Sequence, residues 1–163
     1  MLVLGCDPGV TGALSLIGNG RLLECEDLPM CSNGLTDGKV TRWLDVDAMA
    51  KIVKDWSARH DFARESVVVA IERPIAMPSL PSTTTASSFD TFGALRAVLG
   101  MLAGPVTPVT PRDWKSFYGL GTNKNDSRAK AAALYPSAPV KQAKHHNRAE
   151  AILIAHWHMR AMS

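Results

Sequence analysis

The sequence predicts an α/β fold in which a β-sheet is flanked by helices. Short apolar runs bounded by turn residues predict strands, and longer segments with apolar residues at helical spacing predict helices. In chain order these elements read β-β-β-α-β-α-β-α-α-α. Because 163 residues suit one domain, and neither a repeat nor a compositional boundary interrupts the chain, we expect residues 1–163 to form a single domain.

The N-terminal segment predicts three strands joined by tight turns. The strands are expected at Leu2–Cys6, Ala13–Ile17 and Arg21–Leu28. Pro8-Gly9 predicts the first turn, and Gly18-Asn19-Gly20 is typical of a hairpin turn. The first two strands are therefore expected to pair antiparallel.

The next part of the chain predicts a loop, a helix and a buried strand. Residues 31–41 are polar and contain glycine, which favours a loop. A helix is expected from about Asp47 to Arg59, with Asp45 or Asp47 as its N-cap. Ser66–Ile71 is rich in β-branched residues and is typical of a strand covered on both faces.

The second half predicts four helices and one strand. Residues 73–87 contain three prolines and many Ser and Thr residues without periodicity, which predicts an exposed loop. The elements expected after it are a helix at Ser88–Met101, a strand at Val106–Val109, a short helix from Pro111, a loop at Gly119–Asn125, a helix at Ser127–Leu134 capped by Asp126 or Ser127, and a last helix from His146 or Asn147 to Met159.

Charge is distributed unevenly along the chain. The totals are 18 Lys and Arg against 15 Asp and Glu, for a formal net charge of +3. From Arg112 to Arg160, nine basic residues face only three acidic ones. This basic third permits a polyanionic partner, and Lys124, Arg128 and Lys130 are candidate phosphate contacts as well as candidates for an ordinary solvated helix face.

Cysteine spacing and hydropathy predict the compartment. The three cysteines have no C-x-x-C spacing, which favours reduced thiols. No apolar run reaches membrane-spanning length, and no targeting segment precedes the first strand. We therefore expect a cytoplasmic protein without a membrane partner.

Acidic residues stand where the predicted elements converge. Asp7 and Glu72 each end an apolar strand, and Asn147 and Glu150 are three apart on one helix face, with His146 nearby. If that helix packs beside the first strand, three carboxylates meet one neutral donor, a set that suits Mg²⁺ or Mn²⁺. Two such ions about 4 Å apart can activate water and stabilise the leaving oxygen in phosphodiester hydrolysis. Taken alone, Asp-Pro-Gly is usually a turn and Asn147 is a plausible N-cap.

Four segments in the same order give the chain a specific resemblance. They are Gly5-Cys-Asp-Pro-Gly-Val-Thr-Gly12, Ala70-Ile-Glu-Arg-Pro74, Val109-Thr-Pro-Arg-Asp-Trp-Lys115 and Asn147-Arg-Ala-Glu-Ala-Ile-Leu-Ile-Ala155. With these segments the chain resembles the RuvC family of Holliday-junction resolvases, within the RNase H-like nuclease superfamily. The resemblance implies a mixed five-stranded sheet flanked by helices, a homodimer, binding of four-way DNA junctions, and paired symmetric nicks that require Mg²⁺ or Mn²⁺.

The resemblance also implies roles for individual residues. Asp7, Glu72 and Glu150 correspond to metal-binding carboxylates, and Lys115 to a basic residue near the scissile phosphate. Lys124 or Arg128 would supply a second positive charge there. Arg73 opens the loop after Glu72, where contacts to the junction are expected.

Two positions depart from the family pattern. Glu150 stands where the family usually has Asp, and Asn147 stands where it usually has another acid or, in some members, a histidine. Fewer negative charges weaken Mg²⁺ binding, whereas Mn²⁺ better tolerates a nitrogen ligand such as His146. The catalytic set expected from the sequence is thus Asp7, Glu72, Glu150, Asn147 and Lys115, with His146 as a further candidate ligand.

Three other functions are compatible with parts of this pattern. The same fold can hold branched DNA without cutting it, and the neutral Asn147 favours that alternative. An RNase H-like nuclease acting on RNA would differ only in substrate. A fragment of an actin-like sugar or acetate kinase also opens with an acid-and-glycine hairpin, but the chain is short for two such domains and shows no second phosphate loop.

Overall fold

Five strands form one mixed sheet in a computed structural model of the chain, which describes residues 1–32, 42–63, 66–76 and 81–162. The strands of this sheet are β1 (Leu2–Asp7), β2 (Ala13–Gly18), β3 (Arg21–Asp27), β6 (Val67–Glu72) and β7 (Val106–Val109). Their spatial order is β3-β2-β1-β6-β7, with β1, β2 and β3 antiparallel and β6 parallel to both of its neighbours. The predicted fold class, a mixed five-stranded sheet flanked by helices, is confirmed.

A second, two-stranded sheet was not predicted. It pairs β4 (Met30–Ser32) with β5 (Arg42–Leu44) in antiparallel register. The predicted loop at 31–41 was therefore wrong at Cys31 and Ser32, and its remaining residues, 33–41, lie outside the described part of the chain. Strands of three residues are too short to show a period in the sequence.

Five α-helices flank the main sheet. They are α1 (Val46–His60), α2 (Ser82–Leu102), α3 (Pro111–Tyr118), α4 (Lys124–Leu134) and α5 (His146–Ala161), and a 3₁₀ turn at Ala143–His145 precedes α5. Asp45 is the N-cap of α1, since its Oδ1 accepts a hydrogen bond from the Ala48 amide at 2.9 Å. No helix in the described ranges is long and apolar enough to cross a bilayer.

Two helices begin earlier than predicted. α2 starts at Ser82, so residues 82–87 of the predicted loop are helical, while residues 77–80 of that loop lie outside the described chain. The first turns of α2 are largely exposed and polar, and such turns carry no apolar periodicity to reveal them. α4 starts at Lys124 with Asn123 as its N-cap, whose side chain accepts from the Asn125 amide, so the predicted caps Asp126 and Ser127 were wrong.

Alternate residues of the central strands face different cores. Leu4 and Cys6 of β1 pack with α1 and α2, whereas Val3 packs with α4 and α5. On β6, Val69 and Ile71 face the first core and Ala70 the second. The two-residue period of a strand then directs the terminal residues of both strands, two positions beyond Gly5 and Ala70, toward the α5 side.

Close packing of α5 on the sheet fixes its height above the strands. Gly5 has no side chain where a Cβ would overlap the Ala151 carbonyl and lie 2.5 Å from the Ala155 nitrogen. Ser15, the partner of Gly5 across β1 and β2, donates its hydroxyl proton to the Ala151 carbonyl at 2.9 Å. These contacts lie directly after Glu150 and so position that residue over the strand ends.

Candidate active site

Asp7 and Glu72 end two neighbouring parallel strands at the same edge of the sheet. Cys6 is in register with Ile71, so the two acids are the next residues along their strands. Asp7 is only 9% exposed, and Glu72 is half-buried. This confirms that both strands deliver a carboxylate to the edge where α/β proteins usually bind ligands.

Glu150 joins them from α5. Its Oε1 lies 3.3 Å from the Lys115 ammonium and accepts a hydrogen bond from the Ser127 hydroxyl at 3.4 Å. α3 and α4 thus each contribute one side chain to the same carboxylate. The ion pair holds Lys115 beside the acids, in agreement with the position that the family resemblance implies for it.

Burial and repulsion from neighbouring acids raise the pKa values of Asp7 and Glu72. Burial, then the charges of Glu72 and Glu150, raise the pKa of Asp7 well above its ordinary value, and only a backbone hydrogen bond from Gly9 and the charge of Lys115 oppose this. Burial also raises the pKa of Glu72, with Glu150 adding to the rise. The three carboxylates therefore share one electrostatic environment that is short of positive charge.

Trp114 is a site residue that was not among those predicted from the sequence. It is fully buried, yet its indole nitrogen donates a 2.7 Å hydrogen bond to Glu72 Oε2, which lowers the pKa of Glu72 against the effect of burial. The Lys115 ammonium lies 5.0 Å from the centre of the same indole ring. The adjacency of Trp and Lys in Pro111-Arg-Asp-Trp-Lys115 was the one available signal, because it places an aromatic donor next to a predicted site lysine.

Asn147 faces the turn that follows Asp7. Its amide nitrogen donates to the Thr11 carbonyl oxygen and, at 2.7 Å, to the Thr11 hydroxyl. Because the Thr11 carbonyl oxygen can only accept a hydrogen bond, the Asn147 side-chain atom that faces it must be the nitrogen. The Oδ1 of Asn147 is then the atom able to bind a cation. Asn147 therefore ties α5 to the turn in addition to any ligand role.

His146 is held away from the acids by its own partners. Its Nε2 lies 3.1 Å from the Lys124 ammonium and so accepts that hydrogen bond, while Nδ1 lies 3.4 Å from the Ala143 carbonyl. Both ring nitrogens thus have protein partners. A ligand role for His146 would require Lys124 to move.

The other predicted phosphate contacts are distributed over several surfaces. Arg128 donates to the carbonyls of Val140 at 3.1 Å and Lys141 at 2.7 Å, so its guanidinium holds the segment after α4. Lys130 lies 5.7 Å from the centre of the Tyr118 ring. Arg73 is exposed directly after Glu72.

A shallow cleft of about 160 Å³ opens on Asp7 and Glu72. Its far wall is the start of α2, at Thr85, Ser88 and Phe89, and of these only Thr85 lies in the segment that was predicted as a loop. In the parts of the chain that the structure describes, no three His, Cys, Asp or Glu side chains already stand as a metal-ligand group. The donor chemistry nevertheless fits a hard divalent cation, because burial and the charges of Glu72 and Glu150 raise the pKa of Asp7, and added positive charge would offset that repulsion.

Comparison with known proteins identifies the fold. Solved structures that resemble the chain over nearly its whole length include Holliday junction resolvases. The RuvC structure from Thermus thermophilus in complex with a Holliday junction substrate has a TM-score of 0.65 and 19% identity over 99% of this chain and 94% of that one. A second Thermus thermophilus RuvC structure has a TM-score of 0.62 and 20% identity over 99% and 97% of the two chains.

The fowlpox virus Holliday junction resolvase also matches, with a TM-score of 0.52 and 14% identity over the full length of both chains. No family model matches the sequence, and no curated protein does. At these identities the comparisons establish that the chain has a RuvC-like fold, and they do not establish its activity.

Proposed function

We propose that the chain is a metal-dependent endonuclease that resolves four-way DNA junctions by paired nicks. The observation that carries the proposal is the convergence of Asp7, Glu72 and Glu150 at one sheet edge, in a fold shared with solved Holliday junction resolvases. Three mutually repelling, poorly solvated acids are costly to maintain, and a cation-dependent reaction gives them a use. A role in DNA recombination or repair would follow.

Asp7, Glu72 and Glu150 would hold Mg²⁺ or Mn²⁺, with Asn147 Oδ1 as a neutral fourth donor. Bound divalent ions supply an activated water and neutralise charge on the phosphate oxygens, and two of them suit in-line displacement. Besides burial, the charges of both Glu72 and Glu150 raise the pKa of Asp7, so Asp7 is close to each of the other two acids. It is therefore the candidate shared ligand.

Lys115 would contribute through its own charge. If Glu150 held a cation, the Lys115 ammonium that now lies 3.3 Å from that carboxylate would be free to pair with another negative group. It would then stabilise negative charge that develops on the scissile phosphate. Arg73, Lys124 and Lys130 would hold flanking phosphates, while Arg128 would support this surface by its bonds to the backbone.

Symmetric nicks on opposite strands require two active sites, so we propose a homodimer. The exposed side of α2, which carries Phe89 at 38% and Met101 at 82% exposure, is the candidate contact surface. Light scattering on the purified protein measures this directly, and a monomeric mass at working concentration would contradict it.

The cleavage assay uses a labelled four-way junction with Mg²⁺ or Mn²⁺. We expect paired symmetric nicks that are lost in Asp7→Asn and retained in Asp47→Asn, an exposed acid on α1 that serves as the matched control. Strong junction binding without nicks in either metal would instead identify a binding protein on the same fold. Equal cutting of linear duplex, or preferential cutting of RNA, would overturn junction selectivity.

A further inference from the structure

A second cleft, which we call the basic cleft, adjoins the candidate active site through one turn. The first half of that turn, Asp7–Gly9, lines the acidic cleft, and the second half, Val10–Gly12, lines the basic cleft. The basic cleft has a volume of about 330 Å³. Its other polar lining comes from Asp27, Arg42, Lys144 and His145.

The charge of the basic cleft is positive and largely uncompensated. Asp27 is the acid that lines it, and this carboxylate is already bound by both Nε and Nη2 of Arg148, at 2.6 and 2.7 Å. Among the residues that the structure describes, neither Arg42 nor Lys144 has an ion-pair partner. Two full positive charges therefore remain at the rim.

His145 lines the basic cleft beside Lys144. His145 is also the N-cap of α5 and makes no side-chain capping bond, so the positive end of that helix adds to the positive charge of the cleft. A bound anion would compensate all of these charges together.

Hydrogen-bonding groups in the cleft suit a phosphate. The Thr11 hydroxyl accepts from the Asn147 amide, which leaves its proton to donate to another oxygen. Arg42 offers a planar set of donors that matches two phosphate oxygens, and Lys144 offers a point charge. A nucleic-acid strand that crosses the turn above Asp7 would bring neighbouring phosphates to both clefts.

We propose that the basic cleft binds a backbone phosphate of the DNA substrate, next to the phosphate cleaved at the acids. The proposal rests on the proposed function. It assigns Arg42, Lys144 and Thr11 as contacts that position the strand and carry no base specificity. None of these residues was predicted from the sequence as a nucleic-acid contact.

The test measures junction binding as a function of salt. Binding of a four-way DNA junction is measured in EDTA, to prevent cleavage, for the wild-type protein and for Arg42→Gln, Lys144→Gln and the double variant. Each neutralised phosphate contributes about 0.9 to the slope of log K against log salt, so the double variant, which loses the one phosphate of this cleft, is expected to lose about 0.9, and each single variant no more than that. Lys54→Gln, an exposed lysine of α1 across the sheet, is the matched control and is expected to leave the slope unchanged.

A substituted junction locates the contact. Junctions that carry an uncharged methylphosphonate at single positions near the crossover should each weaken wild-type binding where the protein contacts that phosphate. In Lys144→Gln, one such position flanking the cleaved bond should lose its effect, because its protein partner is gone.

The outcomes separate the two proposals. Wild-type slopes in all variants, or equal losses in Lys54→Gln, would overturn the basic cleft as a phosphate site while leaving the nuclease proposal standing. A wild-type protein that binds no junction would instead overturn the proposed function. Unchanged circular dichroism and thermal melting in the variants show that a lost contact, and not unfolding, causes the change.

Discussion

Replacing Trp114 by Phe removes one hydrogen-bond donor from the candidate active site and keeps an aromatic ring in the core. The indole nitrogen donates to Glu72 Oε2 at 2.7 Å, and Trp114 is fully buried, so water cannot readily replace the donor. A hydrogen bond to a charged group contributes about 1.5–3 kcal/mol. For a protein of this size the loss corresponds to a fall in Tm of about 3–12 °C at neutral pH.

The pH dependence separates the hydrogen bond from packing. The indole stabilises the ionised carboxylate, so its contribution is present above the pKa of Glu72 and is lost as the pH falls through that pKa. Burial places this pKa above its ordinary value, so the loss begins at a higher pH than for a solvated glutamate. The Tm difference between wild type and Trp114→Phe should therefore shrink on acidification, and only the part due to lost volume should remain.

Thermal unfolding from pH 3 to pH 8, for wild type, Trp114→Phe, Glu72→Gln and the double variant, completes the measurement. Trp114→Phe should cost much less in the Glu72→Gln background, where the charged acceptor is absent. A Tm difference that is independent of pH and additive with Glu72→Gln would show that Trp114 acts only by filling space. It would refute the interpretation that Trp114 holds Glu72 in place.

Three further outcomes are expected. Asp7→Asn should abolish cleavage and raise the Tm at pH 7, because it removes a buried charge whose pKa is raised by burial and by its acidic neighbours. The gain in Tm should vanish below about pH 4, where the carboxyl group of Asp7 is protonated in both the folded and the unfolded state. A lower Tm of the variant at pH 7 would contradict this prediction. Lys115→Met should strengthen Mg²⁺ binding, measured by calorimetry, because the Lys115 ammonium, 3.3 Å from Glu150, would no longer compete with the cation for that carboxylate. Cleavage should slow in the same variant, and weaker Mg²⁺ binding would exclude such competition. Gly5→Ala should destabilise the fold by about 1–3 kcal/mol in denaturant unfolding, because the added Cβ would overlap the backbone of α5. Gly93→Ala is the control and should not destabilise the fold, because the added Cβ would meet no neighbouring element within 4 Å.

The strands of the main sheet were predictable because their signals are local. Each of the five predicted strands is present, with bounds within one residue of those expected. Buried runs such as Leu2–Cys6 carry their β-branched and apolar residues whatever the rest of the chain does, and the glycine turn after Ile17 is defined by its own backbone preference. The start of α2 was not predictable in this way, because exposed Ser and Thr residues show no apolar period.

In the candidate site, too, the residues with local sequence signals were predictable and their distant partners were not. Asp7 and Glu72 follow from the sequence because each ends an apolar strand, and Glu150 follows from its place on a helix expected to pack nearby. The partners of these acids do not, because they come from positions distant in the chain. Glu72 and Trp114 are separated by 42 positions in the sequence, and Thr11 and Asn147 by 136, so neither contact is visible in a local sequence pattern.

The sequence by itself determined the α/β fold class, the five strands of the main sheet, the carboxylates and the basic character of the C-terminal third, since each of these depends on residue type and short-range spacing. Only the tertiary structure decided which groups share a space. The approach of α5 over Gly5 brought Glu150 to the strand ends, α3 placed Trp114 against Glu72, and one turn separated the acidic cleft from the basic cleft. The physical reason is that burial and electrostatic interaction depend on distances in space, which only the packing of distant segments sets.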